Sequence, residues 1–151
     1  MAKFSLAREA VPVLGEILLI NRGKVRDTYS LGNGLLLSVA TDGISIFDFV
    51  LNALVPGKGM VLTAMTHFWM KKLEEEKICK THLVAAGAAI DDYLPPALRE
   101  NSDLQSRALV VDALKMAPVE FIARGYLTGS VLNGYKETGK VFGLDLPVGL
   151  Q

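Results

Sequence analysis

A Gly-Asn-Gly turn followed by an apolar run constrains the fold of this chain more than any other stretch. Gly32-Asn33-Gly34 can supply the positive φ angles that a tight hairpin requires. Residues 35–40 are mostly apolar, which favours a strand buried on both faces, and periodicity alone leaves a buried helix open. Shorter strand-like runs at residues 16–20 and 25–30 precede the turn. The first third of the chain therefore predicts β-structure.

Residues 61–77 are the strongest candidate for a helix. Large apolar residues recur there at spacings of three and four, which predicts one apolar stripe packed in the core. The stripe consists of Leu62, Met65, Phe68, Trp69 and Leu73. Thr63 is the predicted N-cap of this helix.

The remainder of the chain mixes short strands with separate helices. Strands are predicted at residues 81–90, 107–114 and 119–124, and a polar loop at residues 99–106. A helix over residues 131–137, capped by Thr128, is predicted to stop at Gly139. Residues 141–151 are turn-rich and predict no closing element. Because the order is not a strict βαβ alternation, the sequence favours an α+β fold.

Composition narrows the class of protein. The chain has 151 residues, which is about one domain, with 16 basic and 16 acidic residues. This balance argues against a nucleic-acid partner, which normally requires a basic excess. One cysteine, Cys79, excludes an intramolecular disulfide and fits a reducing compartment. Without a secretory signal or a bilayer-length apolar run, we expect a cytoplasmic protein with no membrane partner.

The stretch EFIARGYLTGS is the first candidate site. On a strand, Glu120, Ile122 and Arg124 would share one face, beside a helix that begins near Thr128 and Ser130. An arginine, a serine hydroxyl and a helix N-terminus together suit a phosphate. The alternative is that Arg124 pairs with Glu120 and the glycines only turn the chain.

Two further stretches combine charges with turn residues. Lys24 and Arg26 follow a glycine and could hold a polyphosphate, or they could be the solvated charges of an edge strand. The sequence contains neither GxxxxGK[ST] nor GxGxxG, which excludes a P-loop or Rossmann site. Asp42 and Asp48 flank an apolar stretch after a predicted strand. Such carboxylates could hold magnesium, bind an amino group or act as a base, or they could be turn formers.

Four motifs, in order, resemble one known family. The motifs that carry this resemblance are GKVRDTY, TDGISIFD, PGKGMVLTAMTHFW and PVEFIARGYLTGS. The chain resembles the phosphoribosylaminoimidazole-succinocarboxamide synthase (SAICAR synthetase) family over most of residues 22–150. The resemblance implies a two-lobed α+β fold similar to ATP-grasp enzymes, with a complete N-terminal ATP-binding lobe at residues 1–115. Residues 116–151 would begin a second, substrate-binding lobe.

The resemblance also implies a reaction. Such enzymes join carboxyaminoimidazole ribonucleotide (CAIR) to L-aspartate, giving SAICAR while ATP is split to ADP and phosphate with magnesium. The CAIR carboxyl group would become an acyl phosphate that the aspartate amine attacks. A nucleotide-binding fragment without turnover, or another ATP-dependent phosphotransferase, are the rival interpretations. A homo-oligomer is compatible with the family.

Site residues are assigned from matching positions in the motifs. Lys24 and Arg26 match the hairpin that covers the ATP phosphates, and Lys24 and Asp48 match catalytic positions. The adenine connector matches Val111, Asp112, Leu114 and Met116. Substrate-binding positions match Asp42, Ser45, Asp48, Glu120, Arg124 and Ser130. The magnesium ligands stay unassigned.

The sequence departs from the family pattern at three places. Gly43 stands where family members often carry an arginine, and Asp112 where they often carry a basic residue. The family also continues beyond LPVGLQ with segments that supply further magnesium, ribose and aspartate ligands. We therefore expect a protein of these 151 residues to bind ATP weakly, if at all, and to form no SAICAR.

Overall fold

The computed structural model describes residues 14–15, 17–46, 49–119, 121–122 and 125–150, with only the backbone of Ser130. Contacts within the chain divide it into two compact units, Met1–Lys115 and Met116–Gln151. The described elements form an α+β fold, which confirms the predicted class. None of the described helices is long and apolar enough to span a bilayer.

Five strands of the first unit pair into an antiparallel sheet. Its described members, in spatial order, are β1 (Leu18–Arg22), β2 (Arg26–Gly32), β3 (Leu35–Ala40), β7 (Ala108–Asp112) and β6 (Leu83–Ala86). β3 has the predicted bounds. The turn before it has positive φ at Gly32, Asn33 and Gly34, as the hairpin prediction requires. In the sheet, β3 is the middle strand, between β2 and β7.

The core lies on one face of this sheet. Leu37 and Val39 of β3 alternate inward, as does Val110 of β7, and all three are fully buried. A 3₁₀ helix at Gly87–Tyr93 and the short helix α2 (Ser102–Arg107) cover them. The core residues are Leu14, Tyr29, Leu37, Val39, Ala85, Ile90, Leu94, Leu104, Ala108 and Val110.

Helix α2 replaces the polar loop that the sequence predicts, and that prediction is wrong. The Asn101 side chain accepts a hydrogen bond from the Leu104 amide at 3.1 Å, which caps the helix. Leu104 is buried. A single apolar anchor in a polar stretch is too little for a periodicity argument to detect.

Helix α1 (Lys58–Glu75) follows a hairpin of β4 (Gly43–Ile46) and β5 (Phe49–Leu54). The inward face of α1 carries Gly59 and Thr63, while Met65, Phe68 and Trp69 are each more than half exposed. The predicted core stripe is therefore wrong in this unit, because large apolar residues occur all around the helix. Thr63 is also not the N-cap, since it lies buried in the second turn.

The second unit is built around helix α3 (Gly129–Thr138). The predicted stop is confirmed: Gly139 adopts φ 71°, and its amide donates to the Tyr135 carbonyl at 2.8 Å. Thr128 occupies the N-cap position, but its side chain accepts no hydrogen bond from an amide of the first turn.

Two further predictions for the second unit are wrong. A short hairpin of β8 (Lys140–Val141) and β9 (Leu144–Asp145) closes the segment that predicted no element. The Tyr135 hydroxyl anchors the chain after this hairpin by donating to the Pro147 carbonyl at 2.6 Å. Among residues 119–124, the described Val119, Phe121 and Ile122 are not in the predicted strand.

Candidate functional site

The turn between β1 and β2 carries the first pair of predicted site residues. The Gly23 amide donates to the Arg26 carbonyl at 2.8 Å. A Cβ atom at Gly23 would lie 2.6 Å from that same oxygen, so only glycine fits. Lys24 and Arg26 are both exposed. The Thr41 amide donates to the Val25 carbonyl at 2.9 Å, which joins this turn to the end of β3.

Two side chains of β2 that follow Arg26, those of Asp27 and Tyr29, are buried. Asp27 is buried, and Arg22 Nε lies 3.5 Å from its carboxylate. Burial, and next the nearby Asp27, raise the pKa of Tyr29 to about 12. The strand that presents Arg26 is therefore anchored by buried side chains.

Asp42 caps helix α1 from the end of the sheet. Gly57 precedes the helix with φ 77° and has no side chain with which to cap it. Asp42 Oδ1 accepts a hydrogen bond from the Gly59 amide at 2.9 Å, and Oδ2 accepts one from the Gly57 amide at 3.3 Å. A carboxylate at this position satisfies amides that the helix leaves unpaired and complements the helix dipole.

Arg107 completes the surroundings of Asp42. Its Nη1 donates to Asp42 Oδ1 at 3.1 Å and to the Ala40 carbonyl at 3.3 Å. Its Nε and Nη2 donate to Asp103 Oδ1 at 3.0 and 2.8 Å. The Arg107 carbonyl accepts a hydrogen bond from the Thr63 hydroxyl at 2.9 Å. Sequence reasoning missed Arg107, because a lone arginine before an apolar strand gives no sign of burial.

The buried ion pair shifts both titrations. Burial alone would raise the pKa of Asp42, but the Gly59 amide and the Arg107 guanidinium outweigh it and hold that pKa below its usual value. Burial likewise opposes the charge on Arg107, yet its bonds to Asp103 and Asp42 raise the Arg107 pKa. The pair is therefore charged at neutral pH.

Two polar residues stand close to the Asp42 cap. Lys58 lies between the two capped glycines, and its Nζ donates to the Gly43 carbonyl at 2.9 Å. Ser45, on β4, is half-buried and pairs with Val50 of β5. Asp48, the other acidic residue predicted for this loop, lies outside the described residues.

The predicted adenine connector begins at the end of the sheet that is farther from Lys24 and Arg26. Val111 is buried in β7, while Asp112, Leu114 and Met116 are exposed. The Asp112 amide donates to the His82 carbonyl at 2.9 Å. The following amide, at Ala113, donates to a carbonyl of the β2–β3 turn at 2.7 Å.

Sheet register separates this connector from the cationic turn. Arg26 pairs with Ala40 at one end of β3, and Asp112 pairs with Leu35 at the other. Five residue steps along β3 lie between them, a span of about 17 Å at roughly 3.4 Å per residue. Glu120 and Arg124 lie outside the described residues, and Ser130 contributes its backbone to the first turn of α3.

The described residues contain no cluster of potential metal ligands. In that part of the chain, no three His, Cys, Asp or Glu side chains gather as metal ligands would. Of the two acidic residues that the sequence offered for magnesium, Asp42 is committed to Arg107 and to two amides, and Asp48 lies outside the described residues.

Comparison with known proteins decides the family. The family model described as SAICAR synthetase matches residues 19–151. The chain belongs to the SAICAR synthetase family. This confirms the resemblance that the four motifs indicate.

Curated relatives in the SAICAR synthetase family are similar over most of this chain. Phosphoribosylaminoimidazole-succinocarboxamide synthase of Saccharomyces cerevisiae is 44% identical over 142 residues, covering 91% of this chain and 46% of the relative. The protein of the same name from Thioalkalivibrio sulfidiphilus is 45% identical over 141 residues, covering 91% and 45%. The chain spans about half the length of these relatives.

Solved SAICAR synthase structures share the fold. The Saccharomyces cerevisiae enzyme complexed with SAICAR matches with a TM-score of 0.81 at 43% identity, over 91% of this chain and 47% of that one. Another structure titled SAICAR synthase matches with a TM-score of 0.82 at 44% identity, with the same coverage.

Proposed function

We propose that the protein is an ATP-dependent ligase of purine biosynthesis that joins CAIR to L-aspartate, giving SAICAR, ADP and phosphate. Membership of the SAICAR synthetase family carries this proposal. The described first unit would supply the ATP-binding part of the enzyme. CAIR and L-aspartate would meet residues of the predicted substrate set, including Ser45, Asp48 and Arg124.

The register of the sheet supports an extended nucleotide. Exposed Lys24 and Arg26 suit the triphosphate at one end, and the connector at Asp112 suits the base at the other. A span of about 17 Å along β3 leaves room for a base, a sugar and a phosphate chain laid along the strands. Gly23 lets the turn that carries these cations close tightly, because a Cβ there would lie 2.6 Å from the Arg26 carbonyl oxygen.

The chemistry required of these residues is positioning and charge neutralisation. Cations that a folded hairpin already holds in position offset the charge of a transferring phosphoryl group without having to reorganise. Lys24 would perform this role beside the reacting phosphate, and Asp48 would act next to the incoming amine. Magnesium accompanies ATP in the proposal, but we assign it no ligand.

Titration of the 151-residue chain with ATP tests the role of the β1–β2 turn. Lys24→Ala should weaken ATP binding by roughly 1.5–3 kcal/mol, the worth of one hydrogen bond to a charged group. Lys80→Ala removes an equally exposed lysine after α1 and should leave the affinity unchanged. Equal ATP affinity in the wild type and Lys24→Ala would return Lys24 to the role of a solvated edge charge.

A second assay tests the ligase itself. ADP release is measured with CAIR and aspartate together and with each omitted, using chain of verified mass and a longer product of the same gene. Release that requires both substrates supports the ligase. ADP release with unrelated acceptors would instead support a phosphotransferase.

A catalytically incomplete nucleotide-binding fragment is the second candidate function. The coverage of about half of each relative favours it. ATP binding by the 151 residues without SAICAR formation, alongside turnover by the longer product, would select this candidate.

A further inference from the structure

Three parts of the first unit meet at the Asp42–Arg107 pair. Arg107 comes from the end of α2, Ala40 from the end of β3, and Gly57 and Gly59 from the start of α1. Asp42 is 5% exposed and Arg107 4% exposed. A buried pair of this kind must satisfy nearly all of its hydrogen-bonding groups within the protein.

We propose that Asp42 and Arg107 form a positioning clamp for the substrate site. Asp42 fixes the first turn of α1 and the 41–45 segment instead of contacting substrate, and Arg107 acts on the site through Asp42. The inference rests on the proposed function, because that function makes Ser45 and its surroundings a substrate site.

The engagement of Asp42 separates positioning from direct binding. Oδ1 already accepts from Arg107 and from the Gly59 amide, and Oδ2 accepts from the Gly57 amide. A carboxylate with three protein donors and little exposure has scant capacity left for a substrate amine or a metal ion.

Lys58 is the residue most directly held by the clamp. Its two neighbours, Gly57 and Gly59, both donate their amides to Asp42, so the backbone of Lys58 is anchored on either side. Its Nζ donates to the Gly43 carbonyl at 2.9 Å, which attaches helix α1 to the strand that carries Ser45. A displacement of Asp42 would therefore displace both Lys58 and the 41–45 segment.

Steric closure reinforces this arrangement. A Cβ atom at Gly59 would lie 2.5 Å from the Ala40 carbonyl oxygen and 2.9 Å from Arg107 Nη1. The helix thus approaches the sheet at a distance that only glycine permits, and this close approach brings the first turn of α1 within reach of Asp42.

The test compares Asp42→Asn, Arg107→Lys and the double variant. Arg107→Lys keeps the charge but removes the planar fork that reaches Asp42 and Asp103 at once. Asp145→Asn is the matched control, because it removes a carboxylate from an exposed ion pair, Lys140–Asp145, in the second unit. Each variant is titrated calorimetrically with CAIR at a temperature at which circular dichroism shows it to be folded.

A positioning clamp predicts that both single variants lose CAIR affinity by a similar factor, on the order of 2- to 30-fold. The double variant should be no weaker than either single variant, because all three break one unit. Loss in Asp42→Asn with wild-type affinity in Arg107→Lys would make Asp42 a direct ligand and overturn the inference. Unchanged affinity in all folded variants would reduce the pair to a purely structural role and would overturn it equally.

Amide exchange distinguishes failure of the clamp from failure of the proposed function. In Arg107→Lys, the Gly57 and Gly59 amides should exchange faster than in the wild type, while α3 amides stay unchanged. Wild type that binds no CAIR refutes the proposed function in this chain. Exchange at the two glycines then decides the clamp alone, and unchanged protection there would refute it.

Discussion

Replacing Gly59 with alanine tests the close contact between α1 and the sheet. The new Cβ would lie 2.5 Å from the Ala40 carbonyl oxygen, well short of the 3.4 Å at which ordinary contact begins. Arg107 Nη1, at 2.9 Å, offers no room on the other side, since it is bound to Asp42 and Ala40. Either the helix or the end of β3 must therefore move.

Two opposing effects set the size of the loss. Overpacking of this kind costs about 1–3 kcal/mol. Alanine is better than glycine within a helix by at most about 1 kcal/mol, which offsets part of that cost. Because the clash at 2.5 Å is with a backbone oxygen, the upper end of that range applies, and we expect Gly59→Ala to lower the free energy of unfolding of the first unit by about 2 kcal/mol.

Native-state hydrogen exchange measures each unit separately. A loss of about 2 kcal/mol should speed exchange of the most protected β3 amides roughly 30-fold. Gly134→Ala is the control, because it lies inside α3 with no atom within 4 Å of an added Cβ, and it should slow exchange in that helix. Unchanged or slower β3 exchange in Gly59→Ala would refute the close contact and, with it, the geometry of the clamp.

Three further predictions concern charge. Asp42→Asn should destabilise the first unit by about 3 kcal/mol at neutral pH, because it leaves Arg107 without one buried charged partner. The pKa of Asp42 is lower in the folded than in the unfolded protein, so its contribution to stability is present above the unfolded-state pKa and is lost as pH falls through the folded-state pKa. Urea unfolding of wild type and variant should therefore show a smaller difference in stability in acid than at pH 7. Tyr29 has a raised pKa of about 12, so its contribution to stability is complete below about pH 10 and is lost as the pH rises towards 12. In an absorbance titration of the folded protein, Tyr29 should ionise at a higher pH than an ordinary tyrosine, and this step should be missing from Tyr29→Phe. Arg124→Ala should chiefly weaken CAIR binding, measured by calorimetry, and Arg124→Lys should restore only part of the affinity. If Arg124 merely pairs with Glu120, Glu120→Gln should lose as much stability as Arg124→Ala, and the CAIR affinity should barely change.

Local turn chemistry predicted much of the sheet. Gly32, Asn33 and Gly34 require positive φ, and an apolar run comes after them, so the β2–β3 hairpin could be located from sequence. Gly139 ended α3 for the same conformational reason. Such features depend on a few adjacent residues, and that is the information a single sequence contains.

Long-range partners were the part that could not be predicted. The ion pair of Asp42 with Arg107 is an example, because the two residues are 65 positions apart and nothing near Asp42 in the sequence indicates this partner. The stripe of α1 failed for a related reason. Large apolar residues occur around that helix, so periodicity does not show that Gly59 and Thr63, two small residues, mark the packed face.

The pairing of β3 with β7 has a consequence during synthesis on the ribosome. The strands β1 to β3 form consecutive hairpins and can pair as soon as residue 40 has emerged, but the remaining edge of β3 waits for residues 108–112. The start of α1 likewise stays incomplete until Arg107 appears. A nascent chain between these two points carries an open strand edge beside an apolar helix, the combination most prone to aggregation. Arrest of synthesis after α1 has emerged but before residue 108 has emerged should therefore yield chains that need a chaperone, whereas emergence of residue 112 lets the sheet close.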